Sequence, residues 1–238
     1  MPGSTVSETP FELLRRDILR GEFAPGDPLR LSSLSQRYNV SATPLREALS
    51  RLEEKRLVLA SRNKGWRVAP VSIEQLEDIA ATRVTLERAM LEDSILNGDI
   101  DWESDIVAAH HRLSQSEPPL APEDVARRER WVIAHDAFHV ALLSGVRSER
   151  LLRFYADLLE EMQRYHDKMF YPPKVEKAER LDFSELDDVH SRDDHRALMQ
   201  AVLDRDIVRA KARMQDHVER TLAVYRATAF DEPVALKS

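Results

Sequence analysis

All eight histidines of this 238-residue chain lie beyond residue 100, and four of them are spaced so that they could hold a metal ion. His135 and His139 are four residues apart, so on a helix both imidazoles project from one face. His195 and His217 stand ten and twelve residues either side of Arg205, where Asp204-Arg205-Asp206 marks a break between helices. Folding two helices back at that break brings both side chains almost level, because each helix climbs about 1.5 Å per residue. Two such pairs facing each other across a bundle would offer four nitrogens to one divalent cation (zinc, nickel or similar). Positions would stay open if the ion is octahedral. Taken singly, each of the four is more simply a surface or hydrogen-bonded core residue; the shared level is what makes the set a metal site. His110, His111, His166 and His190 have no comparable geometry and are expected at the surface.

A second candidate is Arg83. Leu76, Ile79, Ala80, Leu86 and Met90 recur on one helical stripe, and Arg83 sits inside it. A guanidinium that faces a core needs a partner. Glu87, four residues on, is the plain choice; an anionic ligand is the other, since the planar fork binds carboxylates in a bidentate manner. Metal and arginine together would grip a small organic acid from two sides. Arg164 is a further candidate for that contact.

The elements that must position these groups are helical. Helices are expected at about 72–97, 101–115, 123–144, 149–170, 185–203 and 206–228, with Pro70-Val71-Ser72 as the boundary before them and Ser72 to Gln75 forming a capping box. No strand-like alternation and no 30–45-residue repeat interrupts them, which predicts an antiparallel all-helical bundle. With 42% hydrophobic and 32% charged residues and only six glycines, the chain can build a well-cored helical protein. It has no cysteine, which excludes disulfides and thiolate chemistry. Neither an apolar leader segment nor a membrane-length apolar run is present, so a cytoplasmic location and no membrane partner are expected.

Ahead of the boundary the charge changes sign. Residues 1–70 hold 12 Lys/Arg against 8 Asp/Glu (+4), and the rest of the chain holds 23 against 34 (−11). Within this basic head, residues 32–56 suggest a helix, a turn and a second helix. The first ends at Asn39, a residue that tolerates the left-handed conformation. Val40 plugs the turn, Ser41 or Thr43 caps the next helix, and Pro44 sits in its first turn. Leu45, Ala48, Leu49 and Leu52 face inward, leaving Thr43, Arg46, Ser50 and Arg51 outward, where a hydroxyl and arginines suit phosphates and base edges in a major groove. Leu57-Val58-Leu59-Ala60 and Trp66-Arg67-Val68-Ala69 flank Ser61-Arg62-Asn63-Lys64-Gly65 as a hairpin wing with a basic tip. Phe11, Leu14, Ile18 and Leu19 mark a leading amphipathic helix ending at Gly21, and Ala24-Pro25-Gly26-Asp27 a turn. The fold class is therefore mostly α: a winged helix-turn-helix at about 8–70, a helical bundle at 72–228 and a tail at 229–238.

Gly21-Glu22-Phe23-Ala24-Pro25-Gly26 with Leu34…Tyr38-Asn39-Val40-Ser41-Ala42-Thr43-Pro44-Leu45-Arg46-Glu47-Ala48-Leu49…Leu52 resembles the N-terminal domain of GntR-type bacterial transcription regulators. The resemblance implies that Ser41, Thr43, Arg46 and Gly65 touch double-stranded operator DNA, with Lys64 beside them in the wing. Ala42 departs from the pattern, since many members carry an operator-reading arginine there. The bundle is similar to the FCD effector-binding domain of the FadR-like branch. That likeness rests on Arg83-Val84-Thr85-Leu86-Glu87, Phe138-His139…Leu142, Asp194-His195-Arg196-Ala197-Leu198…Ala201-Val202…Asp206 and Met214…His217. In that family a helical Asp-x3-His pair and two later histidines bind a divalent metal; His139, His195 and His217 match the last three ligands. His135 stands at the Asp position, with Asp136 one residue along. Trp131…His135-Asp136-Ala137-Phe138-His139 further resembles the branch that includes the glutarate-responsive repressor of bacterial lysine and carbon-starvation metabolism.

The resemblance implies a homodimeric repressor whose helical domain binds a metal ion and a small carboxylate effector that modulates operator binding. The alternative is a metal-dependent hydrolase. His135-Asp136-Ala137-Phe138-His139 has the outline of the His-Glu-x-x-His helix of zinc peptidases. Asp is one methylene shorter than Glu, however, and a second histidine pair would crowd the open coordination position. An architectural DNA-binding protein without ligand would leave Arg83 and the histidine set without a purpose.

Overall fold

The computed structural model describes residues 8–61, 65–117, 125–170 and 192–229. The chain divides into two compact units, one formed by Met1–Ser72 with Glu161–Tyr171, the other by Ile73–Glu160 with Pro172–Ser238.

In the first unit, helix α1 (Pro10–Leu19) begins with a reciprocal cap. The Thr9 hydroxyl accepts the Glu12 N–H at 3.3 Å, and the Glu12 carboxylate accepts the Thr9 N–H at 2.7 Å. The helix stops at Arg20, and Gly21 turns the chain away at φ +71°. Helix α2 (Leu31–Tyr38) ends on Asn39 in the left-handed conformation, φ 52°, ψ 46°, and α3 (Ala42–Glu54) follows. Ser41 takes the N-cap position of α3, although its hydroxyl makes no capping bond; Thr43 lies inside the helix. Leu45, Ala48, Leu49 and Leu52 are buried against Leu14, Ile18 and Leu34, as their spacing predicts.

The wing strands β2 (Val58–Ser61) and β3 (Gly65–Val68) pair antiparallel, Val58 opposite Val68 and Ser61 opposite Gly65. A third strand, β1 (Pro28–Leu29), adds to β3, giving the order β1-β3-β2. Sequence alternation cannot reveal a two-residue strand. It is fixed by long-range bonds, Val68 N–H to the Asp27 carbonyl at 2.9 Å and Gly26 N–H to the Val68 carbonyl at 3.0 Å. One buried carboxylate organises this unit: Asp17 accepts from the Tyr38 hydroxyl at 2.7 Å, from Arg37 at 3.0 Å and from Arg16 Nε at 3.3 Å. These bonds tie α1 to the end of α2 and offset the cost of burying the charge. Burial, with Asp17 beside it, pushes the Tyr38 phenol above its ordinary range.

The second unit is helical: α4 (Ile73–Asn97), α5 (Ile100–Gln115), α6 (Val125–Leu143), α8 (Arg192–Leu203) and α9 (Ile207–Ala229), with α7 (Glu149–Phe170) running through both units. Helix α4 packs on α9 and α6, and α5 packs on α6 and α8. Six helices were expected after residue 72, and six are present among the described residues. The start expected for α8, at 185, lies outside them up to residue 191. No described helix is long and apolar enough to cross a membrane.

Two breaks fix the heights of the helices. A Cβ on Gly98 would fall 2.0 Å from the Trp102 ring, so only glycine allows the close α4–α5 turn. Trp102 then donates its indole N–H to the Ala141 carbonyl at 2.9 Å, and Ser94 donates to the Leu143 carbonyl at 2.8 Å, which fastens the end of α6. At the second break Arg205 adopts φ +55°, and its guanidinium donates to the Gly98 carbonyl at 2.9 Å and to Glu103 at 2.5 Å. Asp206 caps α9 by accepting the Arg209 N–H at 3.0 Å. The level of α8 against α9 follows from this anchored reversal.

Candidate functional site

The anchored helices bring four imidazoles together. His135 and His139 come from α6, His195 from α8 and His217 from α9; all are buried, and one potential ligand atom from each lies within 4.8 Å of the others. Ring centroids are 4.5 Å apart for His135 and His139, 5.0 Å for His195 and His217, and 4.8 Å for His139 and His217. Nitrogens bound at about 2.1 Å to one ion can be at most about 4.2 Å apart. The cluster's upper separation of 4.8 Å exceeds that limit by about 0.6 Å, so the rings would have to draw closer to share one ion. Trp131 stacks on His135 with centroids 4.7 Å apart, and Phe138 meets His139 and His195 edge-on, so the rings are held by aromatic walls.

His139 is the informative member. It is 0% exposed, and neither ring nitrogen has a hydrogen-bond partner among the described residues. A buried, unbonded polar atom costs about 1–3 kcal/mol, which a metal bond would remove. Burial first, then the neighbouring charges of His135, His217, His195 and Arg83, hold its pKa well below the ordinary histidine value. The neutral imidazole so favoured is the form that ligates metals. Asp136 is not part of the cluster; its carboxylate lies 3.4 Å from His135 Nδ1. Four nitrogens without a carboxylate can hold a borderline divalent ion.

Arg83 is buried on α4, and its partner is Glu87. Arg83 Nε and Nη2 donate to Glu87 Oε1 at 3.0 and 2.8 Å, and the Tyr155 hydroxyl donates to the same oxygen at 2.7 Å. Glu87 Oε2 is buried with no partner among the described residues. The Tyr155 phenol is pushed well above its ordinary range by burial and by the Glu87 charge. Tyr155 carries no local sequence signal, because it reaches Glu87 from another helix. The backbone of Arg164 belongs to α7; its side chain lies outside the described residues.

On the head, Ser41, Thr43, Arg46 and Ser50 are exposed along α3. Arg51 is also exposed, but its guanidinium stacks 4.1 Å above the Phe11 ring. Gly65 opens β3 at φ +75°, a conformation that favours glycine, and Lys64 lies outside the described residues. The Glu53 carboxylate accepts the Ala60 N–H at 3.1 Å, joining the end of α3 to the wing. One expectation needs correction: His110 is not a surface residue but half-buried, edge-on to Phe138 at 5.7 Å. The spacing of Trp102, Ile106, Ala109 and Leu113 put it at the border of the buried face, and Phe138 covers it. His111 is exposed, whereas the His166 side chain and His190 lie outside the described residues.

Comparison with known proteins agrees with both units. Residues 7–68 match the bacterial regulatory proteins of the gntR family, and residues 78–220 match the FCD domain. The chain is 36% identical over 208 residues to the transcriptional repressor GlaR of Escherichia coli, covering 87% of this chain and 90% of that one. It is 34% identical over 222 residues to the HTH-type transcriptional regulator BphR of Paraburkholderia xenovorans, covering 93% and 86%. The solved structure of McbR/YncC of Escherichia coli shares the fold with a TM-score of 0.68 at 18% identity, over 91% of this chain and 94% of that one. These relatives are transcription regulators and not enzymes, which sets aside the hydrolase reading of the His135/His139 helix. The chain belongs to the GntR family of bacterial transcription regulators, in the FadR-like branch that carries an FCD domain.

Proposed function

We propose that this regulator is a repressor that binds operator DNA as a homodimer and releases it when its helical domain takes up a small organic acid beside a bound metal ion. DNA binding is assigned to residues 8–70, and effector binding and dimerisation to 72–228. On the head, Thr43 and Arg46 would enter the major groove, Ser41 would meet the phosphates at the start of α3, and Lys64 with Gly65 would track the backbone at the wing. The name of the Escherichia coli relative, a repressor, supports the direction of control.

The observation that carries the reading is the four-histidine cluster, above all the buried His139 with both nitrogens unbonded. His135, His139, His195 and His217 would hold the ion, which supplies a positive centre for a carboxylate. Arg83 has five N–H donors and spends two on Glu87, so it retains donors for an acid. A dicarboxylate of four to six carbons fits two cationic anchors, and Arg164 is a further proposed contact. The acid can shift DNA binding only by its differential affinity for the DNA-competent and incompetent arrangements.

Elemental analysis of protein purified without chelator or histidine tag should find one divalent ion per chain, and His195→Ala with His217→Ala should abolish it. Arg83→Lys keeps the charge but loses the fork, so it should keep the metal and weaken the acid. Metal-free protein whose melting temperature ignores added zinc and nickel would overturn the site.

A further inference from the structure

Helix α3 leaves one acid unpaired in the middle of its outward face. At roughly 100° per residue, Thr43, Glu47 and Ser50 fall within about 60° of one another, opposite the buried Leu45, Ala48, Leu49 and Leu52. All three are exposed. Arg46 and Arg51 flank this stripe, about 40° to either side. The ordinary partner for Glu47 is Arg51 at i+4, but that guanidinium lies 4.1 Å above the Phe11 ring of α1. Among the described residues the Glu47 carboxylate has no hydrogen bond and no ion pair, whereas Glu53 on the same helix accepts the Ala60 N–H at 3.1 Å.

A free carboxylate on such a face can meet DNA favourably only at a donor, because phosphates repel it. The donors in the major groove are the exocyclic amino groups of cytosine (N4) and adenine (N6). Adenine sets its N7 acceptor beside N6, where it opposes the second carboxylate oxygen; cytosine has no acceptor there. Guanine O6 and N7 and thymine O4 are acceptors and are rejected. We propose that Glu47 is a specificity-determining residue of the head: its carboxylate accepts from cytosine N4, favouring one C·G pair in each half-site and disfavouring other sequence. This rests on the placement of Thr43 and Arg46 in the same groove and names the group that excludes wrong bases. Glu54 shares the stripe about 10 Å further from the N-terminus of α3, beyond the turns that contact base edges, and serves as the control.

Full-length wild type, Glu47→Gln, Glu54→Gln and Arg46→Ala should each be used to select from a randomised duplex library, and the bound pools sequenced. Wild type should favour cytosine roughly tenfold or more at one position of each half-site. Glu47→Gln sets a donor beside the acceptor, so that preference should fall to within about twofold or pass to adenine, which glutamine reads in a bidentate manner. The Glu54→Gln motif should match wild type. Glu47→Gln should also bind an unrelated duplex at least about twofold more tightly at low salt, because a negative charge has left the phosphate surface. A purely structural residue would move neither readout. A Glu47→Gln motif identical to wild type, or weaker binding of the unrelated duplex, overturns the proposal. If Arg46→Ala still changes the motif in that case, the groove assignment of α3 stands; if neither variant changes it, both fall.

Discussion

Replacing His139 by leucine should stabilise the metal-free protein and destabilise it relative to wild type once metal is present. In the stripped protein the buried imidazole keeps one donor and one acceptor without partners. An apolar side chain of similar volume removes that penalty, about 1–3 kcal/mol. For a chain of this size each kcal/mol moves the melting temperature by about 2–4 °C, so stripped His139→Leu should melt roughly 2–12 °C above stripped wild type. Metal at a thousand times its dissociation constant adds about 4.1 kcal/mol to wild type by linkage, more than that penalty, and nothing to a variant that has lost its central ligand. The order of melting temperatures should therefore reverse on adding zinc or nickel. Thermal unfolding followed by circular dichroism, with and without chelator, reads both halves. If stripped His139→Leu melts below stripped wild type, the imidazole has bonds that the reasoning denies it.

The exposed Arg46 should act at the DNA surface alone: Arg46→Ala should cost about 1–3 kcal/mol of operator affinity in a gel-shift titration and leave the melting temperature unchanged. Asp17→Ala leaves the Tyr38 hydroxyl and two arginines without their buried acceptor, so urea denaturation should show a loss of about 2–4 kcal/mol. Burial first, then the charges of Arg196 and His111, hold the His110 pKa below its ordinary value. The unfolded chain therefore takes up that proton first as pH falls through about 6.5, and stability present above that pH is lost below it. His110→Gln should shrink the drop in melting temperature of stripped protein between pH 7.5 and 5.5; an unchanged drop refutes the assignment.

What was legible in the sequence was local or periodic. Asn39, Gly21 and the Leu45-Ala48-Leu49-Leu52 stripe specify their turns and faces through backbone preference and helical spacing. The histidine cluster was legible for the same reason: a four-residue spacing on one helix and a reversal midway between two more histidines determine where the rings meet. Features decided by partners distant in sequence stayed hidden. Strand β1 exists only because β3 pairs with it, and Asp17 is a hub only because α2 returns to it. Tyr155 reaches across 68 residues to Glu87, so the further donor to that carboxylate is invisible from α4 alone. His110 sat on the border of an apolar stripe, where only the facing helix determines burial.

If metal and a carboxylate act together in the helical domain to release DNA, neither suffices alone. Operator binding should be followed by fluorescence anisotropy for metal-loaded and chelator-stripped protein, each titrated with a panel of C4–C6 dicarboxylates. At least one acid should release the operator from the loaded protein, and the stripped protein should stay bound at the same concentration. Equal release from both forms, or no release by any acid, would contradict it.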